Sequence, residues 1–492
     1  MNPAQLSTYA KYKEAKEKRS ERRAKKRFSG FQKLCFVYLF AVFALPQYFG
    51  IQLPGFALTA QRMALICVLV AIFINQKRVD GFFITNTGPM LGSVAITVPF
   101  IFISLATAIF RSDPNSFFNF FVDAFLPMVI MMYLAAKVFT LEELLRFLKI
   151  VLIVVCITCY LDALVLHRNP YDFIHTIKSI AGGSTFRASS YRVAAMTSHP
   201  IALGIYFVLM TPLMCIDIDR RRINIAKNWG LLLLIGGSML LCGSRMPQAT
   251  FLVELVALFI LTERDVKRVI LPYMLVFGTF AVLVIYLLRD ESHIRRYVIL
   301  NVCQMVDSVF GTTFVLEEFG YWQWKYIQSW DYRNLLPLLL FSDDYDPLLG
   351  LGVKAANYDN FSAVIDGRVV ASIDNYYVIQ YLQFAWPGLI VMVMVFLHTL
   401  KRCVIGFFDK SNVVCRALLV SACLYFVNLW FVADLGTFKY AFSLFALAYV
   451  YSRGEGLTRK ADEPKESNSS SVAARTAWRR EKGVRTVCVQ SR

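Results

Sequence analysis

The feature that most limits how this chain can fold is a series of apolar blocks, most of them roughly 18–22 residues long. A helix rises about 1.5 Å per residue, so a block of that length crosses the ~30 Å hydrocarbon layer of a bilayer. The backbone finds no water inside lipid, and a helix satisfies its polar groups internally. The blocks lie at approximately 31–49, 58–75, 90–110, 118–136, 149–167, 199–217, 229–243, 248–262, 269–288, 375–400, 413–433 and 437–452. We therefore expect an all-α integral membrane protein with about 12 transmembrane helices.

The composition agrees with this expectation. Hydrophobic residues make up 57% of the chain and charged residues 17%, whereas soluble domains have about 45–50% and about 25%. The net charge of +18 invites a nucleic-acid interpretation, but much of the excess lies between Lys11 and Arg27 and after Arg453. Basic segments beside a span orient the protein and contact anionic lipid. The expected partner is a lipid bilayer, and no nucleic acid.

Lysine and arginine are concentrated in alternate loops. If the N-terminus is placed in the cytoplasm, the cytoplasmic loops contain the basic residues Lys77, Arg78, Lys137, Arg146, Lys149, Arg220, Arg221, Arg222, Lys227, Arg264, Lys267, Arg268, Lys401, Arg402, Lys410 and Arg416. This distribution follows the positive-inside rule. It predicts an even number of spans and two cytoplasmic termini. The capping box Thr140-Leu-Glu-Glu143 predicts a short cytoplasmic amphipathic helix.

The same pattern divides the chain into three parts. Residues 1–30 are a basic cytoplasmic arm, and residues 31–453 are the polytopic membrane domain. Residues 289–374 are a large outside loop between the ninth and tenth spans, too long for a simple connector. Residues 454–492 are polar and charged, which predicts a disordered cytoplasmic tail.

The long loop is rich in aromatic and acidic side chains. Its rings include Tyr321, Trp322, Trp324, Tyr326, Trp330 and Tyr332. Such rings stack on the apolar faces of sugars, and they also settle at membrane interfaces; both interpretations stay open. Asp343, Asp344 and Asp346 lack the full set of spaced oxygen ligands that calcium needs. We expect neither a metal nor a cofactor.

Three arginines fall on the predicted outside face. Arg187 and Arg192 precede a helix that is expected to start near Pro200 with Ser198 as its N-cap, and Arg245 lies in the turn Gly243-Ser-Arg-Met-Pro247. A guanidinium group can donate two parallel hydrogen bonds to phosphate oxygens, and a helix N-terminus attracts anions. The alternatives are a diphosphate cradle, or arginines that reach lipid headgroups or pair with loop carboxylates.

Several motifs carry a resemblance to a known family. They are Arg192-Val-Ala-Ala-Met-Thr-Ser-His-Pro-Ile-Ala-Leu-Gly204, Gly243-Ser-Arg245, Pro347-Leu-Leu-Gly-Leu-Gly352, Ser372-Ile-Asp-Asn-Tyr-Tyr377 and Phe384-Ala-Trp-Pro-Gly388. In order, spacing and sidedness, the chain resembles the O-antigen ligase and Wzy-type polysaccharide polymerase superfamily. These bacterial membrane glycosyltransferases act on undecaprenyl-diphosphate-linked sugars at the outer face of the inner membrane.

The resemblance implies a metal-independent glycosyltransferase. Ligases of the family usually carry His-Asn where this chain has Asp374-Asn375, and the difference favours a polymerase of lipid-linked repeat units. Arg192 and Arg245 would stabilise the diphosphate leaving group, and Asp374 would accept a proton. The substrate-binding residues would be Arg187, His199, Asn375, Trp322, Trp324, Trp330 and Tyr376. A chain-length regulator is a candidate partner. Asp374 has a second interpretation as the N-cap of the following helix.

Two rival functions stay open. A ligase would transfer finished glycan to lipid A core or another acceptor, and a flippase would move lipid-linked oligosaccharide across the membrane. Glu254, inside a short predicted span, favours a transporter because acids within membranes often mark proton or ion pathways. Its alternative is a hydrogen-bonded packing residue. A structural or regulatory subunit would not need the outside arginines.

Overall fold

The computed structural model describes residues 29–53, 56–74, 87–178, 180, 184–187, 190–321, 324, 335–356, 363–365, 368–370, 373–409, 412–433 and 436–452. Most of these residues are helical. The helices are α1 (Gly30–Ala44), α2 (Ala60–Ile74), α3 (Thr87–Phe110), α4 (Asn115–Val138), α5 (Leu141–Leu166), α6 (Pro200–Met214), α7 (Trp229–Cys242), α8 (Arg245–Leu261), α9 (Arg264–Leu287), α10 (Leu300–Phe310), α11 (Phe314–Phe319), α12 (Tyr376–Phe407), α13 (Val413–Phe431) and α14 (Phe438–Tyr451). The predicted arm, except for residues 29–30, and the predicted tail lie outside the described residues.

Seven helices in the described part of the chain are long and apolar enough to cross a membrane. They are α3, α4, α5, Ile225–Cys242 (which contains α7), α9, α12 and α13. Four further apolar helices, α1, α2, α6 and α14, are shorter. The structure therefore supports a protein built for a membrane.

Short antiparallel hairpins interrupt the helical pattern, and the apolar blocks did not predict them. The pairs are β1 (Gly50–Leu53) with β2 (Phe56–Thr59), β3 (Thr185–Arg187) with β4 (Ser190–Arg192), β5 (Ile216–Asp217) with β6 (Arg222–Ile223), and β7 (Ala363–Ile365) with β8 (Arg368–Val370). All of them lie in segments that connect helices, where a two-stranded ribbon satisfies backbone groups that no helix uses.

One prediction about α5 was wrong. The capping box of Thr140 and Glu143 is present, but it opens α5 itself and no separate short helix. The helix continues through Leu166, because the leucine and valine positions after Glu143 extend the apolar face without a break.

Helices meet at one end of the bundle, here called the loop end, where α6, α8, α12 and α14 begin and α7 and α13 end. The hydroxyl of Tyr377, in the first turn of α12, donates to the carbonyl of Phe426 near the end of α13 at 3.0 Å. The rings of Tyr376 and Phe438, the first residues of α12 and α14, lie 4.7 Å apart. The starts of α12 and α14 are therefore neighbours.

Polar contacts also join the opposite end of the bundle. Arg222 forms ion pairs with Glu263 at 2.5 Å and with Asp265 at 2.9 Å. The side-chain amide of Asn412, the N-cap of α13, donates to the carbonyl of Tyr451 at 2.6 Å. Between the two ends, α6 and α14 form the centre of the bundle and are buried along nearly their whole length. In contrast, none of the described side chains in the apolar stretch of α9 is buried.

Candidate functional site

Arg192, the last residue of β4, is held at the end of α7. Its side chain is buried, with 4% of the residue exposed, and its Nε donates to the carbonyl of Cys242 at 3.2 Å. The next amide, that of Val193, donates to the carbonyl of Leu241 at 3.1 Å. The last carbonyls of a helix lack partners within the helix and carry partial negative charge. They therefore fix a guanidinium group at this point.

The turn after α7 packs against Arg192 and leads into α8, which begins at Arg245. Gly243 has φ +57°, and a Cβ on it would lie 3.1 Å from Cγ of Arg192. Glycine is suited to this position because it adopts the left-handed cap and allows the arginine stem to approach. Ser244 occupies the N-cap position, and the half-buried Arg245 is the first residue of α8. The turn Gly243-Ser-Arg245 thus packs against Arg192 and ends at Arg245.

His199 is the N-cap of α6, which corrects the prediction of Ser198. Its backbone is extended, and its Nδ1 accepts a hydrogen bond from the amide of Ile201 at 3.1 Å. The imidazole reaches this amide because the extended backbone turns the ring back over the first helical turn. Pro200 occupies the first helical position, as predicted. Since Nδ1 is the acceptor, the neutral ring carries its proton on Nε2.

The segment between Arg192 and His199 is buried and fixed by hydrogen bonds. Ala195 has φ +46°, outside the usual range for alanine. Its carbonyl accepts from the side-chain amide of Asn169 at 2.8 Å and from the hydroxyl of Tyr48 at 3.4 Å. These contacts hold the uncommon backbone geometry in place.

A buried carboxylate that the sequence reasoning missed supports the same segment. Asp162, in the last turn of α5, is 0% exposed. It accepts hydrogen bonds from the hydroxyl of Tyr191 and, at 2.5 Å, from the hydroxyl of Ser184. Ser184 in turn accepts from the amide of Ala194 at 3.0 Å. The sequence feature that could have indicated Asp162 is the presence of an acidic residue inside the apolar block 149–167.

The starts of α6 and α8 lie side by side. A Cβ on Gly204 would come within 2.5 Å of the Cβ of Pro247, so the two helices touch where Gly204 has no side chain. One turn further along α8, Thr250 Oγ1 accepts from the side-chain amide of Asn428 in α13 at 2.9 Å. The turn that carries Arg245 is therefore tied to α6 and, through α13, to the start of α12.

The start of α12 differs from the prediction by one residue. Asn375 is the N-cap, and its Oδ1 accepts from the amides of Tyr377 at 3.0 Å and Val378 at 3.2 Å. Asp374 was predicted as a possible cap, and that was wrong, because the amide oxygen one position later reaches both exposed N–H groups. The half-buried Asp374 side chain precedes the helix and does not cap it.

The loop end carries both positive charges and carboxylates, and the buried Asp162 is one of these carboxylates. The N-termini of α6, α8, α12 and α14 lie there, and each carries partial positive charge. Arg192, Arg245 and the buried Lys439 belong to the same end, together with the carboxylate of Asp374. Lys439 was missed because it lies inside the block 437–452. Such a region can bind a polyanion, and the carboxylate of Asp374 is a group able to accept a proton.

Two of the resemblance motifs contact each other. In α12, Ala385 has φ 55° and ψ −164°, so the helix is broken just before Pro387. The amide of Gly352 donates to the carbonyl of Gln383 at 3.1 Å, and the amide of Trp386 donates to the carbonyl of Pro347 at 3.2 Å. The segment 347–352 of the long loop therefore docks on the broken helix, and we call it the docked segment.

The turn between α3 and α4 holds the docked segment from its other side. Arg111 donates to the carbonyls of Gly350 at 2.7 Å and Leu349 at 3.0 Å. Asp113 accepts from the amide of Lys354 at 2.8 Å. These contacts join the docked segment and Lys354 to a turn more than 200 residues earlier in the chain.

The other predicted site residues contribute less structural information. Trp324 packs against the small apolar cluster of α10 and α11, which indicates a packing role for that ring. Trp322 and Trp330 lie outside the described residues, and Arg187 is described only by its backbone in β3. Among the described residues, no three His, Cys, Asp or Glu side chains are grouped as metal ligands.

Glu254 lies in the interior of α8. It is 0% exposed, and within the described part of the chain neither carboxyl oxygen has a hydrogen-bond partner. The interpretation as a hydrogen-bonded packing residue is therefore not supported.

Comparison with known proteins adds no identification. No family model matches this chain, and no curated protein matches it.

Proposed function

We propose that this chain is a bacterial inner-membrane glycosyltransferase that polymerises undecaprenyl-diphosphate-linked oligosaccharide repeat units into a surface polysaccharide, such as O-antigen, capsule or exopolysaccharide. The observation that carries the proposal is that Arg192 packs against the turn that ends at Arg245, at the end of the bundle where α6, α8, α12 and α14 begin. Fixed cations and helix N-termini suit a diphosphate, because phosphate oxygens accept several strong hydrogen bonds at once.

The proposal includes a membrane arrangement. The seven long apolar helices cross the bilayer together with α1, α2, α6, α8 and α14, which makes twelve spans. The loop end faces the periplasm, and both termini are cytoplasmic. Arg220, Arg221 and Arg264 are then on the cytoplasmic side, in agreement with the positive-inside rule.

The reaction is a glycosyl transfer between two lipid-linked glycans. A hydroxyl oxygen of the acceptor repeat unit bonds to C1 of the donor sugar, and the bond from C1 to the diphosphate oxygen breaks. The electron pair leaves with undecaprenyl diphosphate, whose charge Arg192 and Arg245 stabilise. Asp374 takes the hydroxyl proton and later releases it to water. The acceptor's carrier then holds a longer glycan.

Substrate binding is assigned to groups at or near the same end. His199 and Asn375 cap the helices whose N-termini are proposed to face the diphosphate, and the buried ring of Tyr376 packs against Phe438 beside them. Arg187, Trp322, Trp324 and Trp330 stay predictions for contacts with phosphate or sugar. A chain-length regulator remains a proposed partner.

The test is a gel of surface polysaccharide from a strain that lacks the gene. The strain is complemented with wild type, Arg245→Ala, Arg245→Lys or, as the matched control, Arg220→Ala, which changes an exposed arginine of the opposite end. We expect single repeat units and no long polymer with Arg245→Ala, and wild-type ladders with Arg220→Ala. Long polymer retained on its carrier would indicate a ligase, and repeat units retained in the cytoplasm would indicate a flippase.

One observation favours a second candidate function. A buried carboxyl group with no hydrogen-bond partner among the described residues, as at Glu254, is a common feature of proton-coupled transporters. A flippase is therefore the alternative to be excluded.

A further inference from the structure

Lys439 is a buried lysine at the loop end. It is the second residue of α14, and 2% of it is exposed. Its Nζ lies 4.8 Å from the centre of the Tyr440 ring. A charged side chain inside a membrane domain is expensive to desolvate and is commonly associated with a functional site.

The position of Lys439 in its helix is unfavourable for helix stability. The first turn of a helix carries partial positive charge, so acidic side chains stabilise it and a lysine weakens it. Since α14 would be more stable with another residue here, stabilisation of this helix does not account for the lysine.

The neighbours of Lys439 lie between the two halves of the candidate site. On one side, Phe438 contacts Tyr376, two residues after Asp374. On the other, the ring of Tyr440 lies 4.9 Å from Tyr206, in the helix that His199 caps. Lys439 is therefore flanked by residues that pack on α6 and on the start of α12.

We propose that Lys439 is a third cationic group of the diphosphate site and contacts the phosphate oxygens from the side opposite to the turn of Arg245. The proposal rests on the proposed function, because it assigns a further binding residue to the same substrate. Lysine provides a compact charge with three donors, whereas the two arginines provide planar donor pairs. The three cations together match a group with several charged oxygens.

The experiment measures binding separately from polymerisation. The full-length chain is purified in lipid nanodiscs and titrated with undecaprenyl diphosphate, and undecaprenol serves as the uncharged probe. We expect Lys439→Gln to weaken binding of the diphosphate roughly tenfold, as the loss of one charge-assisted contact implies. Lys439→Arg should retain most of the affinity, and binding of undecaprenol should not change.

The matched control is Lys267→Gln. Lys267 also lies over an aromatic ring, that of Phe259 at 5.5 Å, but at the opposite end of the bundle. The Lys267→Gln variant should bind undecaprenyl diphosphate with the affinity of the wild-type protein. Equal affinity in wild type and Lys439→Gln would overturn the inference and leave the proposed function standing. A wild-type protein that binds no undecaprenyl diphosphate would overturn both.

A second measurement avoids any folding defect of the variant. An undecaprenyl diphosphate with a photoreactive group next to the phosphates is cross-linked to the wild-type protein, and the labelled peptides are identified by mass spectrometry. We expect label at the start of α14 as well as in the turn at 243–247. Label confined to that turn would contradict a role for Lys439.

Discussion

The backbone amide of Leu351 donates a hydrogen bond to the carbonyl oxygen of Leu382 at 2.7 Å. This bond joins the long loop to a helix that begins more than 20 residues later. It exists because α12 is broken at Ala385, which leaves carbonyl groups of the preceding turn without helical partners. The docked segment thus donates to carbonyl groups that the missing helical turn leaves unused.

Gly350→Ala should disrupt this docking. A Cβ at this position would lie 2.1 Å from the carbonyl oxygen of Gln383, which is backbone and has little freedom to move. We expect a loss of about 1–3 kcal/mol in stability, typical of overpacking, measured by thermal unfolding in nanodiscs. Gly230→Ala is the control, because a Cβ there meets nothing within 4 Å. Equal melting temperatures for the two variants would contradict the docked arrangement.

Acid should weaken the docked segment. The amides of Leu348 and Leu349, and then the charge of Arg111, lower the pKa of Asp346 below its ordinary value. A carboxyl group with a lowered folded-state pKa stabilises the fold fully above its unfolded pKa of ~3.9. That contribution is lost as the pH falls through the folded-state value. Asp346→Asn should therefore lose less thermal stability than wild type between pH 5 and pH 3. An equal loss of stability in the two proteins would contradict the contribution of the Asp346 carboxylate.

Asp374→Asn should slow polymerisation by about 10²–10⁴-fold, the usual contribution of a general base. The change keeps the size of the side chain and leaves the Asn375 cap in place. Single-turnover formation of the lengthened glycan on purified lipid-linked substrates measures the effect. Asp343→Asn, an exposed aspartate of the same loop, is the control. Normal turnover in Asp374→Asn would exclude it as the base.

Glu254→Gln should leave polymer length unchanged. The amide has the same size as a protonated carboxyl group, and the proposed reaction moves no proton through the interior of α8. The gel of surface polysaccharide provides the measurement. Repeat units trapped in the cytoplasm of the Glu254→Gln strain would instead support a proton-coupled flippase.

Tyr191→Phe should destabilise the segment before Arg192. It removes one of two hydroxyl donors from the buried Asp162, and a buried group that loses its partner costs about 1–3 kcal/mol. Tyr38→Phe is the matched control, because the buried hydroxyl of Tyr38 has no hydrogen-bond partner in the described part of the chain. Thermal unfolding should separate the two variants, and equal stability would show that the Asp162 contact contributes little.

The positions of the main helices were predictable because apolar length is a local property of the chain. The blocks 229–243 and 248–262 correspond to α7 and α8, joined at the turn of Gly243. The N-caps of α6 and α12 were each displaced by one residue from the predicted position, to His199 and Asn375. The reach of the side chain decides which of two adjacent polar residues caps the helix.

The long-range contacts were not predictable. Nothing local in the sequence indicates that Arg111 binds the carbonyl of Gly350, or that Asp162 supports the strand before Arg192. Asp162 and Lys439 were missed because each lies in a block that was identified by its high average hydrophobicity, in which one charged residue has little effect. The role of a single charge depends on neighbours that only the folded chain brings together.

The break in α12 also has a consequence for how the protein is made. The docked segment leaves the ribosome before α12 does, yet its hydrogen-bond acceptors at Leu382 and Gln383 belong to α12. Residues 347–352 must therefore wait, already synthesised, until the following helix has been inserted. The docking of residues 347–352 is thus a late step in biogenesis, because it requires that α12 has already been synthesised and put in place.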